Sequence, residues 1–323
     1  MQLDRPIAEL DKRISELKLL AAENPSVGLS AHIRQLEDQA RRLRVEVYSD
    51  LDPWERTLLS RHPQRPFTLD YVKMLFTDFI ELHGDRAFME EPAIVTGLAR
   101  FDDVPCVVMG HQKGRNTREN LHRNFGMARP EGYRKAIRIF QMAERFQRPI
   151  FTFIDTPGAY PGIVSEERGQ AEAIAHAILE MTRLTVPVIV TVIGEGGSGG
   201  ALAIGVGNRV LMLENSIYSV ISPEACAAIL WHDGTKGALA AQALKYTAQD
   251  CLKLSVADEI IKEPPGGAHL DPEGVAANLG KALRKHLASF KDMTPQQICD
   301  DRYSKVRKLG KFTDPRPRKV RGT

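Results

Sequence analysis

The sequence predicts an α/β fold, a buried sheet covered by helices, behind an N-terminal helical hairpin. Two apolar runs, residues 150–154 and 187–193, are continuous rather than alternating, as strands buried on both faces are. A helical pattern lies between them, with Ala171, Ile174, Ala175, Ile178 and Leu179 three and four positions apart. Glycine-rich segments follow both runs, where open α/β sheets offer their carboxyl ends to ligands.

The elements can be justified in order. Ile7, Leu10, Ile14 and Leu17 recur at helical spacing, as do Ile33, Leu36, Ala40, Leu43 and Val47, and a turn at Asn24, Pro25, Ser26 and Gly28 joins the two helices. The hairpin has a single apolar stripe, expected to pack on the main body or on a partner. Asp52 and Pro53 close it. Residues 94–100 and 104–110 are β-prone runs joined by Asp102 and Asp103, a hairpin signature. A helix is expected over 131–146 and a second over about 168–183. After the glycine loop at 194–200 a short Ala/Gly helix starts at 201, and strands are expected over 209–213 and 217–221. Ser222, Pro223 and Glu224 give a helix start with a capping hydroxyl, a proline at the first helical position and an acid near the dipole. From there to about residue 290 the pattern is helical, interrupted at Pro264, Pro265, Gly266 and Gly267.

Composition narrows the function classes. A chain of 323 residues with 43% hydrophobic and 26% charged residues can bury a sizeable core, which excludes a disordered, collagenous or fibrous chain. The longest apolar stretch, 184–193, is far short of the roughly 20 residues of a membrane span. Asp4, Pro6 and Glu9 fit neither a secretion signal nor a transit peptide, so a soluble chain in the compartment where it is made is expected. Cys106, Cys226, Cys251 and Cys299 form no CxxC pair, which argues against a zinc site within this chain and for a reducing compartment. The net charge of +3 hides an asymmetry: residues 302–321 hold nine Lys or Arg and one acid, Asp314, leaving the rest of the chain at −5. Pro315 and Pro317 lie in that basic segment, which reads as a flexible tail over 301–323. The expected division is a helical extension over 1–60, a main domain over 61–300 and the tail.

The chemistry is concentrated in two loops. Residues 194–200 read Gly-Glu-Gly-Gly-Ser-Gly-Gly, follow a strand directly and open a helix. Five glycines in seven positions allow a sharp turn and a close backbone approach, and the first amides of the helix suit an anion or a developing oxyanion. A tight strand-to-helix turn packed on a neighbour would need the same glycines. A phosphate-binding loop is excluded, since no Gly is followed by Lys and then Ser or Thr. A dinucleotide fingerprint fails because the loop lies late in the chain and no acid ends a strand about twenty residues on. Gly196, Ser198 and Gly200 also satisfy G-x-S-x-G in a strand–turn–helix context. A serine hydrolase is therefore an alternative, with Ser198 as nucleophile, His232, His269 or His286 as base, and Asp233, Asp258 or Asp271 as orienter. The second loop, Asp155 to Gly162, likewise follows a buried strand, and the two are expected to converge on one crevice.

Seven longer strings carry a resemblance: GHQKGR (110–115), NFGMARPEGYRKA (124–136), FIDTPGAYPG (153–162), EERGQAEAIA (166–175), VIGEGGSGGALAIGVGN (192–208), YSVISPEACAAILW (218–231) and EPPGGAH (263–269). In this order, between RPIAEL (5–10) and about residue 305, they resemble the carboxyltransferase alpha subunit of bacterial-type acetyl-CoA carboxylase. The resemblance implies a crotonase-like fold of ββα units with an N-terminal helical extension. It implies transfer of a carboxyl group from carboxybiotin on the biotin carboxyl carrier protein to acetyl-CoA, giving malonyl-CoA in the committed step of fatty-acid synthesis. It implies a cytoplasmic α2β2 assembly with a zinc-bearing beta subunit, working with biotin carboxylase, and neither a metal in this chain nor a nucleic-acid partner. By match to the family's glycine pair, the backbone N–H groups of Gly199 and Gly200 form the oxyanion hole, with Ala201 as the alternative donor. Gly158, Ala159, Tyr160, Gly196 and Gly197 line the carboxybiotin pocket on the same implication.

Overall fold

The computed structural model describes residues 5–23 and 29–310. The turn expected at 24–28 and the last thirteen residues of the basic tail lie outside them. The chain runs α1 (Arg5–Glu23), α2 (Ser30–Ser49), α3 (Pro53–Ser60), α4 (Thr68–Leu75), β1 (Thr77–Glu81), β2 (Ile94–Phe101), β3 (Val104–His111), α5 (Thr117–His122), α6 (Pro130–Arg145), β4 (Ile150–Thr156), α7 (Ile163–Glu167), α8 (Gln170–Arg183), β5 (Val188–Gly197), α9 (Ser198–Leu202), β6 (Arg209–Leu213), β7 (Ile217–Ser219), α10 (Pro223–Trp231), α11 (Gly237–Leu244), α12 (Ala248–Lys253), β8 (Glu259–Ile261), α13 (Pro272–Ala288) and α14 (Pro295–Arg307).

The sheet order is β1-β2-β3-β4-β5-β6-β8, with β7 beside the end of β5. Strands β1 to β3 are antiparallel, and β3, β4, β5, β6 and β8 are parallel. Asp102 and Asp103 both have positive φ, 44° and 65°, the conformation a two-residue turn needs to match strand twist, so β2 and β3 pair without a break from Phe101–Val104 to Ile94–His111. Along β4 and β5 alternate residues go to opposite faces. Ile150, Ile154, Val188, Val190 and Val192 join Ile139 and Phe140 of α6 and Met181 of α8. Phe151, Phe153, Ile189 and Ile193 join Tyr71 and Val72 of α4 and Leu279 and Leu283 of α13. Both faces are covered, which explains the continuous apolar runs.

Four expectations need correction. The stripe of the helical hairpin does not seek the main body: Ile14 of α1 packs with Ile33, Leu36 and Ala40 of α2, flanked by Leu10 and Leu17. Helix α3, placed by the sequence in the extension, packs on the body instead, with Trp54 against Ile217, Ala241 and Tyr246. The 301–323 segment does not begin as a tail. It continues α14, because Arg302 is buried and donates to Leu184 O (2.6 Å), Val186 O (2.9 Å) and Asn208 Oδ1 (2.6 Å). Finally, the loop expected at 194 is still strand: β5 runs to Gly197 because β7 pairs with Glu195, Gly196 and Gly197.

Candidate functional site

The ends of β4 and β5 bring the two glycine loops together backbone to backbone. A Cβ at Gly197 would overlap Pro157 O, and one at Gly200 would overlap Ala159 N and Gly158 C. Glycine is demanded at 197 and 200 by this contact, so the packing account of the loop holds for these two positions. Gly158 differs: nothing lies within 4 Å of where its Cβ would stand, so the space over it is open. Ser198 is exposed and Gly199 half-buried, while Gly200 and Ala201 are buried. Ser198 and Gly199 thus face outward at the start of α9, and Gly158, itself buried, leaves free space over its Cα beside them.

The first loop is tied from within. Thr156 Oγ1 donates to Gly158 O (2.7 Å) and accepts from Gly158 N (3.1 Å). Tyr160 N donates to Ala128 O (3.0 Å), Gln170 Nε2 donates to Tyr160 O (2.9 Å), and the Arg129 guanidinium lies 5.0 Å from the Tyr160 ring centroid. Ala159 packs against the cluster of Ala128, Ala173 and Ala203. Five of the residues expected around the pocket, Gly158, Ala159, Tyr160, Gly196 and Gly197, therefore come from two adjoining strand ends.

Beneath the loops lies an ion network that sequence reasoning missed. Lys113 Nζ donates to Asp155 Oδ1 (2.7 Å) and to Glu195 Oε1 (3.0 Å). Arg61 Nε, from the end of α3, donates to Glu195 Oε2 (2.8 Å), and Arg61 Nη1 donates to Glu224 Oε1 at the start of α10 (2.5 Å). Asp155 Oδ1 also accepts from Glu195 N (3.1 Å). Behind it, Arg65 donates to both oxygens of Glu263 (2.7 and 2.8 Å) and to Ile193 O (3.0 Å). Burial opposes the Lys113 charge, but Asp155 and Glu195 outweigh it and raise the pKa. Burial likewise works against the Glu195 charge, and Lys113 and Arg61 prevail, holding its pKa below the usual carboxylate range. Burial raises the Asp155 pKa, and Lys113 offsets this only in part. One signal was available: Glu195 is the one charged residue, near the end, of a strand that is otherwise apolar but for Thr191 and its glycines, and a buried carboxylate requires a cation.

His111 ends β3 under the same loops. It is fully buried, neither ring nitrogen makes a hydrogen bond of normal geometry among the described residues, and the backbones of Gly200 and Phe153 are its polar neighbours. Burial, then the nearby Lys113 charge, lowers its pKa to about 3, so the ring is neutral.

The hydrolase alternative is overturned. Ser198 has φ 55°, as a nucleophile elbow would, yet the side chains of all the proposed partners but His232 are engaged elsewhere. His269 stacks on His62 with ring centroids 3.8 Å apart, His286 Nε2 bonds Glu259 (2.9 Å), and His232 is the left-handed C-cap of α10. Asp233 accepts from Thr235, Asp258 from Val210 N and Lys305, and Asp271 caps α13. Among the described residues no triad forms around Ser198.

Comparison with known proteins gives the family. Residues 1–310 match the family model described as acetyl co-enzyme A carboxylase carboxyltransferase-like. The chain is 56% identical over 314 residues to the acetyl-coenzyme A carboxylase carboxyl transferase subunit alpha of Geobacter metallireducens, covering 97% of this chain and 98% of that one. To a protein of the same name from Thermus thermophilus it is 55% identical over 315 residues, covering 98% and 99%. Among solved structures, a transcarboxylase 12S with methylmalonyl-coenzyme A and methylmalonic acid bound superposes with a TM-score of 0.56 at 18% identity, over 69% of this chain and 42% of that one. A Pseudomonas malonate decarboxylase hetero-tetramer in complex with coenzyme A gives 0.55 at 16%, over 67% and 90%. These structural likenesses show the fold, a crotonase-like α/β fold with a mixed sheet. With strand ends that offer backbone rather than a nucleophile, and with relatives matched over nearly the whole chain, the chain belongs to the acetyl-CoA carboxylase carboxyltransferase alpha-subunit family.

Proposed function

We propose that this chain performs the carboxyltransferase half-reaction of acetyl-CoA carboxylase together with a beta subunit, moving a carboxyl group from carboxybiotin to acetyl-CoA to form malonyl-CoA. The observation that carries this reading is the pair of glycine loops in backbone contact, open above Gly158 and without a nucleophile–base pair. That donor set fits a urea-type ligand, whose oxygen needs hydrogen-bond donors and whose flat ring needs a wall free of side chains.

When bound, carboxybiotin supplies the activated carboxyl group and, on giving it up, a ureido oxygen that carries negative charge. In this reading the amides of Gly199 and Gly200 donate to that oxygen, with Ala201 the alternative second donor. Donors fixed in the backbone need no reorganisation as charge develops, which is where such sites gain their rate. Gly158, Ala159 and Tyr160 wall the pocket, and Gly196 and Gly197 let the second loop lie flat against the first. The thioester oxygen would be held by the beta subunit, which would carry the zinc. An α2β2 assembly in the cytoplasm, served by the biotin carboxyl carrier protein and biotin carboxylase, completes the reading. No described helix is long and apolar enough to cross a membrane.

The test is reconstitution. The chain mixed with a beta subunit is expected to decarboxylate malonyl-CoA when biocytin is supplied, by reversal of the forward reaction, and to show no turnover alone. A well-folded stoichiometric pair without this activity would sink the assignment.

A further inference from the structure

We propose that Lys113 is a positioning residue for carboxyl transfer: its ammonium clamps the end of β4 to the end of β5 and so sets how the 155–160 loop meets the 194–200 loop. This rests on the reading of those loops as the carboxybiotin site. Lys113 stands just beyond β3, the third strand in the row, and reaches across to the two strands that carry the loops. Its Nζ is shared by Asp155 Oδ1 and Glu195 Oε1, and each acceptor lies within a few residues of its glycines. The stem also packs close to Gly126, where a Cβ would come 3.1 Å from Lys113 Cγ. A shared ammonium does what the glycine contacts alone do not. Backbone packing sets a minimum separation between the loops, and the ammonium adds to the Thr156–Gly196 strand pairing and the Glu195 N–Asp155 Oδ1 hydrogen bond that hold them to it.

The charged and titratable groups facing this clamp come from every neighbouring element. Arg61 of α3 bonds Glu195 and passes to Glu224 of α10. Arg65 and Tyr71 act on Asp155 only at longer range, Arg65 being bound to Glu263. His111 is neutral. Without Lys113, Glu195 would keep Arg61, and Asp155 would have no cation in contact. Two carboxylates would then share one buried space, which raises the pKa of the pair and favours a single proton held between them. Acidification therefore restores part of the clamp, by a carboxylic acid–carboxylate hydrogen bond.

The experiment uses the full chain with its beta subunit and the variant Lys113→Met. Expected are a kcat for biocytin-dependent malonyl-CoA decarboxylation lower by about 10- to 100-fold and a malonyl-CoA KM within about twofold of wild type. The ratio of variant to wild-type kcat should climb as the pH is lowered and the carboxylate pair takes up its proton. Hydrogen exchange, which needs no turnover, should speed up in peptides covering 155–162 and 194–201 and not in the helical hairpin. The double variant Lys113→Met/Asp155→Asn, which lacks the uncompensated carboxylate, should lose the acid recovery; it also replaces the single variant should that one fail to assemble, read by kcat, KM and exchange alone. A wild-type kcat, or unchanged exchange in both peptides, overturns the proposal. An inactive wild-type pair speaks against the functional reading instead, and the exchange comparison still decides whether the clamp exists.

Discussion

Adjacent glycines at 199 and 200 face opposite constraints, and this separates packing from chemistry at single-residue resolution. A Cβ at Gly199 would stand 3.4 Å from Ile174 Cγ2, an ordinary contact, whereas one at Gly200 would overlap the backbone of the 157–160 loop. Gly200→Ala is therefore expected to force the loops apart, costing about 1–3 kcal/mol as overpacked sites do. Gly199→Ala should leave the melting temperature near wild type. Thermal melts of both variants check this, and equal melting temperatures would show that the two loops yield freely. The outcome alters how a loss of turnover in a Gly200 variant is understood: it would report displaced loops before it reported a blocked ligand. Glycine density in the sequence pointed to the loop, but which glycine serves contact and which leaves space open depends on residues forty positions away.

Helix α14 carries the next lesson. Its sequence holds a basic run that on charge alone reads as solvated, yet its Thr294 N-cap forms a capping box with Gln297 and Pro295 sits in the first turn. Those local signals were present in residues 294–297, and the charge pattern hid them. Arg302 decides the matter by entering the body, where three acceptors on two separate segments receive it and burial lowers its pKa to about 10. Arg302→Ala should strand those acceptors and destabilise the chain by about 2–4 kcal/mol. Denaturant unfolding measures it, and a shift under about 0.5 kcal/mol, the scale of an ordinary surface substitution, would mean that α14 is held by other contacts. Strands β1 and β8 went unread for a different reason. β8 is three residues long and β1 is an exposed edge strand, so neither has the apolar run or alternation that marks a strand. Their strand character comes from the neighbours they pair with.

At the scale of the whole molecule, His111 sets an acid limit on stability. Its folded pKa of about 3 lies below the roughly 6.5 of an unfolded histidine, so only the unfolded chain takes up this proton between those values. The His111 contribution is complete above about pH 6.5 and falls with pH below it, by up to roughly 1.4 kcal/mol per pH unit. His111→Gln should flatten the drop in melting temperature between about pH 7 and 5, whatever its offset at neutral pH. An unchanged slope would place the acid sensitivity elsewhere. The sequence by itself determined the α/β class, the paired helices of the N-terminal hairpin, the β2–β3 hairpin, the two glycine loops and the family, because each is written in contiguous residues as period, turn chemistry or a long string. Tertiary structure alone decided that the hairpin closes on itself, that α14 docks, that Ser198 has no base, and that Lys113, Asp155, Glu195 and Arg61 form one network. Those outcomes depend on charges and surfaces brought together from up to about a hundred and sixty positions apart, and the energy of a buried charge is set by what surrounds it in space.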